Sequence, residues 1–230
     1  MKKPDIVRFS GFSKQTLEFL KNLAANNSKP WLERHRDDYE THLMQPLRAL
    51  VVELGDLMVS IDPYIETTPA VNKTISKIYR DTRFSRDKSL FKESVWVTFK
   101  RPGKDWKDAP AYFFELFSDW YRYGMGYYSA SPATMSRFRN AINTRPKEFA
   151  KAIAFYDGQK TFTLEGEQYQ RLFDADRPDR INLWYQKRSL YLVCNRKVNK
   201  RLFSRRIADD LADGFVMLAP LYRFLWKLRS

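Results

Sequence analysis

The hydrophobic period of this chain changes near residue 70, and that change constrains the fold more than any single motif. Before it, apolar residues step by three and four. Ser13 suits a helix cap, with Phe12 and Leu17 placed as a hydrophobic staple across it. Leu17, Leu20 and Leu23 continue the apolar face until Asn26-Asn27 ends the helix. Pro30 fits the first turn of a second helix. There Tyr39, Leu43, Leu47, Leu50, Leu54, Leu57 and Ile61 form a buried stripe. Pro46 lacks the N–H that a helix interior needs, so a kink or restart is expected at that point.

After the change the period is two. Val95, Val97 and Phe99 alternate with Trp96, Thr98 and Lys100, and Tyr112, Phe114 and Leu116 with Phe113, Glu115 and Phe117. Tyr121 to Tyr128 is a further aromatic strand, and the short gap before it predicts an antiparallel meander. Ser131-Pro132 opens a helix through Met135, Phe138 and Ile142. Leu190 to Cys194 reads as another strand. Phe203, Ile207, Leu211, Phe215, Leu218 and Leu225 outline a terminal helix with Gly214 and Pro220 as its weak points. Helices, then strands, then helices is an α+β order. With no repeat and no Gly/Ser-rich linker, residues 1–230 read as one domain. The expectation is a mainly antiparallel sheet of about four to six strands, with N- and C-terminal helices packed on it.

Composition excludes several classes. With 6 Trp, 13 Tyr and 17 Phe the chain has ample material for a core, so disorder is not expected. A single cysteine, Cys194, rules out an internal disulfide and a cysteine zinc site. No signal peptide and no membrane span are readable, so the expected location is the cytoplasm, away from membranes. The net charge of +14 is unevenly spread: residues 1–70 are close to neutral, and the excess lies in 71–110 and 111–230. Residues 187–206 hold eight cations and no acid. Such a field favours anionic partners, a small molecule or a nucleic acid. Lys187, Arg188, Arg196, Lys197, Lys200 and Arg201 are the candidates for a phosphate-tracking surface.

The segment IYRDTRFSRDKSLFK (78–92) sorts charged from apolar positions by neither period, so it reads as a shaped loop between strands. Five cations, Arg80, Arg83, Arg86, Lys88 and Lys92, accompany Asp81 and Asp87. Arginines suit bidentate recognition of carboxylate or phosphate, and a neighbouring Asp can orient them. Equally, Arg80 or Arg83 paired with Asp81 or Asp87 would brace a long loop and bind nothing.

This loop resembles the signature of a widespread bacterial family of uncharacterised, conserved hypothetical proteins, a domain of unknown function. The family pattern is R-D-x-R-F-S-x-D-K-x-P-[YF]-K. It is matched at Arg80, Asp81, Arg83, Phe84, Ser85, Asp87, Lys88, Phe91 and Lys92, and departs at Leu90, where the pattern has Pro. NNSKPWLERHRDDYE (26–40) is similar to the family's Asn-Asn…Trp…Tyr segment, with Leu32 for a usual Phe. GMGYYSASPATMSRFRNAI (124–142) is similar to its Gly-x-Gly…Arg…Ile segment, with Arg139 at the Arg position. The resemblance implies no activity.

Gly124 and Gly126 lack the third glycine of a dinucleotide fingerprint and suit a bend or a close backbone approach. The helix start at Ser131 offers free N–H groups to an anion, and Arg139 can be directed at the same ligand as Arg80 and Arg83. His35 and His42, with Asp38 between them, share a helix face but read as surface residues; no metal or cofactor is expected. Glu115, Asp119, Asp81 and Asp87 could hold Mg²⁺ in a phosphodiesterase, though no properly spaced lysine follows an acidic pair. The aromatics of 112–128 resemble stacking platforms for single-stranded nucleic acid if one sheet face is left open. Three functional readings stay open. One is a binding protein for an anionic ligand, using Arg80, Asp81, Arg83, Asp87, Lys88, Lys92, Ser131 and Arg139. Another is an enzyme acting on a phosphate- or carboxylate-bearing substrate with the same residues, Asp81 or Asp87 serving as base or metal ligand. The third is a protein-interaction module whose loop motif is structural.

Overall fold

A computed structural model describes residues 8–83, 86–171, 173 and 176–229. Helix α1 (Lys14–Ala25) starts in a capping box: Ser13 Oγ accepts from Thr16 N at 3.1 Å, and Thr16 Oγ1 accepts from Ser13 N. Phe19, Leu20 and Leu23 are buried, whereas Leu17 is only half-buried. Phe12 stacks on Phe114, with ring centroids 5.6 Å apart. Helix α2 (Lys29–Arg34) carries Pro30 in its first turn. The single turn α3 (Arg36–Asp38) and a π-helical stretch, Tyr39–Met44, lead into α4 (Gln45–Ile61). The helix therefore restarts beside Pro46, where a missing N–H costs nothing. Its buried stripe runs through Met58, while Leu57 is half-buried.

Strands β1 (Val95–Phe99), β2 (Pro110–Leu116) and β3 (Trp120–Tyr127) form the meander. Helices α5 (Pro132–Thr144) and α6 (Pro146–Ala152) follow, then β4 (Thr163–Glu165), α7 (Asp179–Tyr185), β5 (Tyr191–Lys197) and α8 (Arg206–Trp226). The sheet is antiparallel and five-stranded, in the order β1-β2-β3-β5-β4, with helices at both ends of the chain. Thr163 pairs with Val193 and Glu165 with Tyr191. The α+β expectation holds. Helix α8 passes through Gly214 and Pro220 without a break.

The chain divides into two compact units. The first holds the residues up to Phe99, Phe113–Tyr123 and Asn195–Asp213; the second holds Lys100–Tyr112, Gly124–Cys194 and the residues from Gly214 on. Strands β2, β3 and β5 contribute residues to both. In the first unit Thr16 Oγ1 donates to His42 O at 2.6 Å, and Phe19 packs against Trp31 and Tyr39. In the second, Tyr112 packs between Phe215 and Tyr222 of α8, at 5.0 and 4.9 Å. Among the described residues no helix is long and apolar enough to cross a membrane.

Candidate functional site

The neck of the 78–92 loop is a short antiparallel crossing of Tyr79 and Phe91. Arg80 N donates to Leu90 O at 2.9 Å and Lys92 N to Ile78 O at 2.8 Å. In this register the N–H and C=O of Phe91 point away from its partner strand. Asn27 fills that vacancy as a third strand would: its Oδ1 accepts from Phe91 N at 2.8 Å, and its Nδ2 donates to Phe91 O at 3.1 Å. The Asn-Asn segment and the loop, distant in sequence, thus meet.

Both ion pairs of the bracing reading are present. Arg83 lies on Asp81, Nη2 to Oδ2 at 2.7 Å, and Arg80 lies on Asp87 at 3.0 Å. The Asp81 contact holds the Arg83 guanidinium above its ordinary range. Asp87 is held below its own, mainly by the Ser89 N–H and hydroxyl, with Arg80 adding to it. However, Arg83 is 77% exposed and Asp87 49%, and exposed pairs of this kind contribute little to stability. Lys88 is also exposed, with its Nζ on Thr82 O at 2.8 Å. Phe84 and Ser85 lie outside the described residues.

A different set of residues converges behind the neck. Glu115 on β2 is 2% exposed. Its Oε1 accepts from Ser94 Oγ at 2.6 Å and its Oε2 from Arg122 Nε on β3, also at 2.6 Å. Arg122 also lies over the rings of Trp96 (5.1 Å) and Trp120 (5.7 Å). Burial pushes the Glu115 carboxyl up, against the pull of Ser94, Arg122 and Lys92. Lys92 donates to Lys77 O at 2.8 Å, and its ammonium is depressed by burial and then by the charge of Arg80, Glu115 opposing. Arg80 keeps its Nε buried without a hydrogen-bond partner among the described residues. Lys92 and Arg122 thus act on one buried carboxylate, and Arg80, paired with Asp87, adds its charge beside Lys92. Ser94 and Arg122 are new to the site, and Glu115 belongs to it as an anchor for Arg122, not as one of a set of metal ligands. Among the described residues no cluster of His, Cys, Asp and Glu could hold a metal ion.

The remaining candidates lie elsewhere. Ser131 caps α5 in the second unit, and Asp108 already occupies that helix end. It accepts from Ser131 N (2.7 Å), Ser131 Oγ (2.8 Å) and Thr134 Oγ1 (2.9 Å). Burial would raise the Asp108 carboxyl, but these donors and Arg229 outweigh it and hold it low. A ligand anion there would have to displace a resident carboxylate. Arg139 is also in the second unit, buried, with Nη1 on Lys187 O at 3.1 Å. Lys187 is itself 5% exposed and so is not a surface cation. Arg188 pairs with Glu167 at 3.5 Å, and Arg201 is forked onto Asp210. Arg196, Lys197 and Lys200 remain exposed. The basic run is therefore interrupted, since a chain alternating into a sheet must bury some of its residues. His35 stacks on Trp31 at 4.1 Å, with Nδ1 against Trp31 O at 2.8 Å.

Fold and geometry define an α+β protein in which Lys92 and Arg122 act on one buried carboxylate, Glu115. Its sequence matches, over residues 15–224, a family of conserved hypothetical proteins, DUF2461, and the chain belongs to that family. No curated protein matches it.

Proposed function

We propose that the first unit binds a small phosphate- or carboxylate-bearing ligand in the cytoplasm through Arg80, Lys92 and Arg122, with the exposed loop cations Arg83 and Lys88 at its entrance. The observation that carries this reading is the buried, unpartnered Nε of Arg80 next to a lysine whose charge it disfavours. Cations crowded in a half-buried place are costly alone and are relieved by an anion. The test is thermal unfolding with and without inorganic phosphate, with chloride at matched ionic strength as control. Ligand at about ten times its Kd should add about 1.4 kcal/mol, a shift of a few degrees in Tm. Arg80→Ala should abolish the shift. No shift in the parent, or an equal shift in Arg80→Ala, would sink the proposal.

Lys92→Met gives an independent expectation. It removes a charge that burial and Arg80 both oppose, and Lys77 O, on an exposed residue, can turn to water. Stability should rise by about 0.5–2 kcal/mol while phosphate binding weakens. The folded-state pKa of Lys92 lies below its ordinary 10.5, so the native state sheds this proton first as pH rises. The advantage of the variant is therefore full below the folded pKa and shrinks as pH approaches 10.5. Denaturant titrations at neutral pH and near pH 10 measure both points; a loss of stability at neutral pH contradicts the charge argument.

The Ser94–Glu115 contact favours a second reading, an enzyme acting on a phosphate- or carboxylate-bearing substrate. Burial raises the proton affinity of Glu115, and a serine hydroxyl lies 2.6 Å from it, the pairing of a nucleophile with its base. Glu115 then takes the role that sequence reasoning gave to the exposed Asp81 or Asp87. Turnover of a generic phosphomonoester that is lost in Ser94→Ala would select this reading over simple binding.

A further inference from the structure

The second unit carries an unbalanced group of cations that the cluster above does not use. Arg139 is 8% exposed and Lys187 5%. Each donates to a main-chain carbonyl, Arg139 to Lys187 O and Lys187 Nζ to Gly166 O at 3.2 Å. Among the described residues, no carboxylate makes an ion pair with either. Among the described residues Glu165 acts on Lys187, but burial outweighs it, so the ammonium is depressed. Two cations withdrawn from water, hydrogen-bonded to neutral carbonyls and only weakly offset by Glu165, call for a counter-charge.

Over them stand aromatic rings that are not withdrawn. Phe173 is 51% exposed and Tyr169 36%. The Arg139 guanidinium lies 5.1 Å from the Phe173 ring and 5.6 Å from Tyr169. Arg188, more than half exposed, lies 5.5 Å from Tyr169, and Phe173 meets Tyr169 and Tyr185 edge to face. An apolar ligand would not explain the cations, and a bare anion would leave the exposed rings without a role. A flat base joined to a phosphate satisfies both.

We propose that Tyr169, Phe173, Arg139, Lys187 and Arg188 form a nucleotide-binding site, in which the exposed rings stack the base and the cations attract the phosphate. The source is a free mononucleotide or one unit of a single strand, and the experiment separates them. Fluorescence anisotropy of a fluorescein-labelled oligothymidylate is read against the full chain at low salt, with thymidine monophosphate and inorganic phosphate as competitors. Saturable binding is expected, weakened by about fivefold to a hundredfold in Phe173→Ala and in Tyr169→Ala. Arg188→Ala, an exposed position that leaves folding intact, should lower affinity and reduce the salt slope by about one. Arg80→Ala should leave this binding unchanged, which separates it from the phosphate site of the first unit. Displacement by the mononucleotide assigns a free nucleotide; displacement only by unlabelled oligonucleotide assigns a single strand. The proposal is overturned by no anisotropy change at about 100 μM protein. It is equally overturned by affinities that ignore both rings, or by inorganic phosphate competing as well as the nucleotide.

Discussion

Gly124→Ala should destabilise the protein by about 3–5 kcal/mol, lowering Tm by roughly ten degrees. A Cβ at Gly124 would stand 1.8 Å from Leu192 O and 2.9 Å from its carbonyl carbon. These are main-chain atoms of β5, so no side-chain rotation can make room. Gly126 repeats the condition, its Cβ falling 2.4 Å from Tyr191 Cα. Just beyond, Tyr127 N donates to Leu190 O at 3.0 Å, a bond that holds only while the two backbones stay close. To admit a methyl, β5 must move by more than an ångström or give up its ladder bonds to β3. The glycines of the Gly-x-Gly segment are thus explained by strand packing, without any ligand. Equilibrium unfolding in urea measures the effect, and a loss below about 1 kcal/mol would mean that the strands are not packed as described.

What could be read in the sequence, and what could not, follows from the range of the forces involved. Capping at Ser13, the restart at Pro46 and the strand alternation of 95–99 depend on neighbours within a few residues, and all are found. Strand β4 and helices α6 and α7 are too short to show a period in the sequence. Helix α8 was expected to falter at Pro220. Yet Pro220 and Val216, whose carbonyl loses its partner, both lie on the exposed face where water serves that group, while Phe215, Leu218, Tyr222 and Leu225 hold the buried face.

The same distinction applies to the site. The cations of 78–92 are visible in one dimension, but Ser94, Glu115 and Arg122 meet only through strand register. The hairpin closed by Phe117 N to Trp120 O sets residue 115 opposite 122. A lone acid in PAYFFEL and a lone base in WYRYGMGY, symmetrical about that turn, were the available signal.

Asn27→Ala should cost about 1–4 kcal/mol and weaken phosphate binding as well. Phe91 is fully buried; Asn27 Oδ1 accepts from its N–H, and its C=O accepts from Asn27 Nδ2 at 3.1 Å and, at a longer 3.4 Å, from Ser89 Oγ. Alanine strands the N–H, costing about 1–3 kcal/mol where water cannot reach, and leaves the C=O with only the long Ser89 contact. Because Phe91 stands between Leu90 and Lys92, the strain falls on the bonds that close the neck, Arg80 N to Leu90 O and Lys92 N to Ile78 O. Arg80 and Lys92 then lose their fixed separation, and affinity falls with preorganisation even though no charge has been removed. Asn27→Asp separates the two roles of the side chain. It keeps an acceptor for Phe91 N but sets a carboxylate oxygen against Phe91 O, so it should recover only part of the lost stability. Urea unfolding gives the stability, and hydrogen exchange at the Phe91 amide reports the clamp directly, since that N–H donates to Asn27 alone. An alanine variant that melts within a degree of the parent and keeps the Phe91 amide protected would show that the sheet, not Asn27, holds the neck. A variant that loses protection and stability yet binds phosphate undiminished would show that the cations do not need the neck to meet.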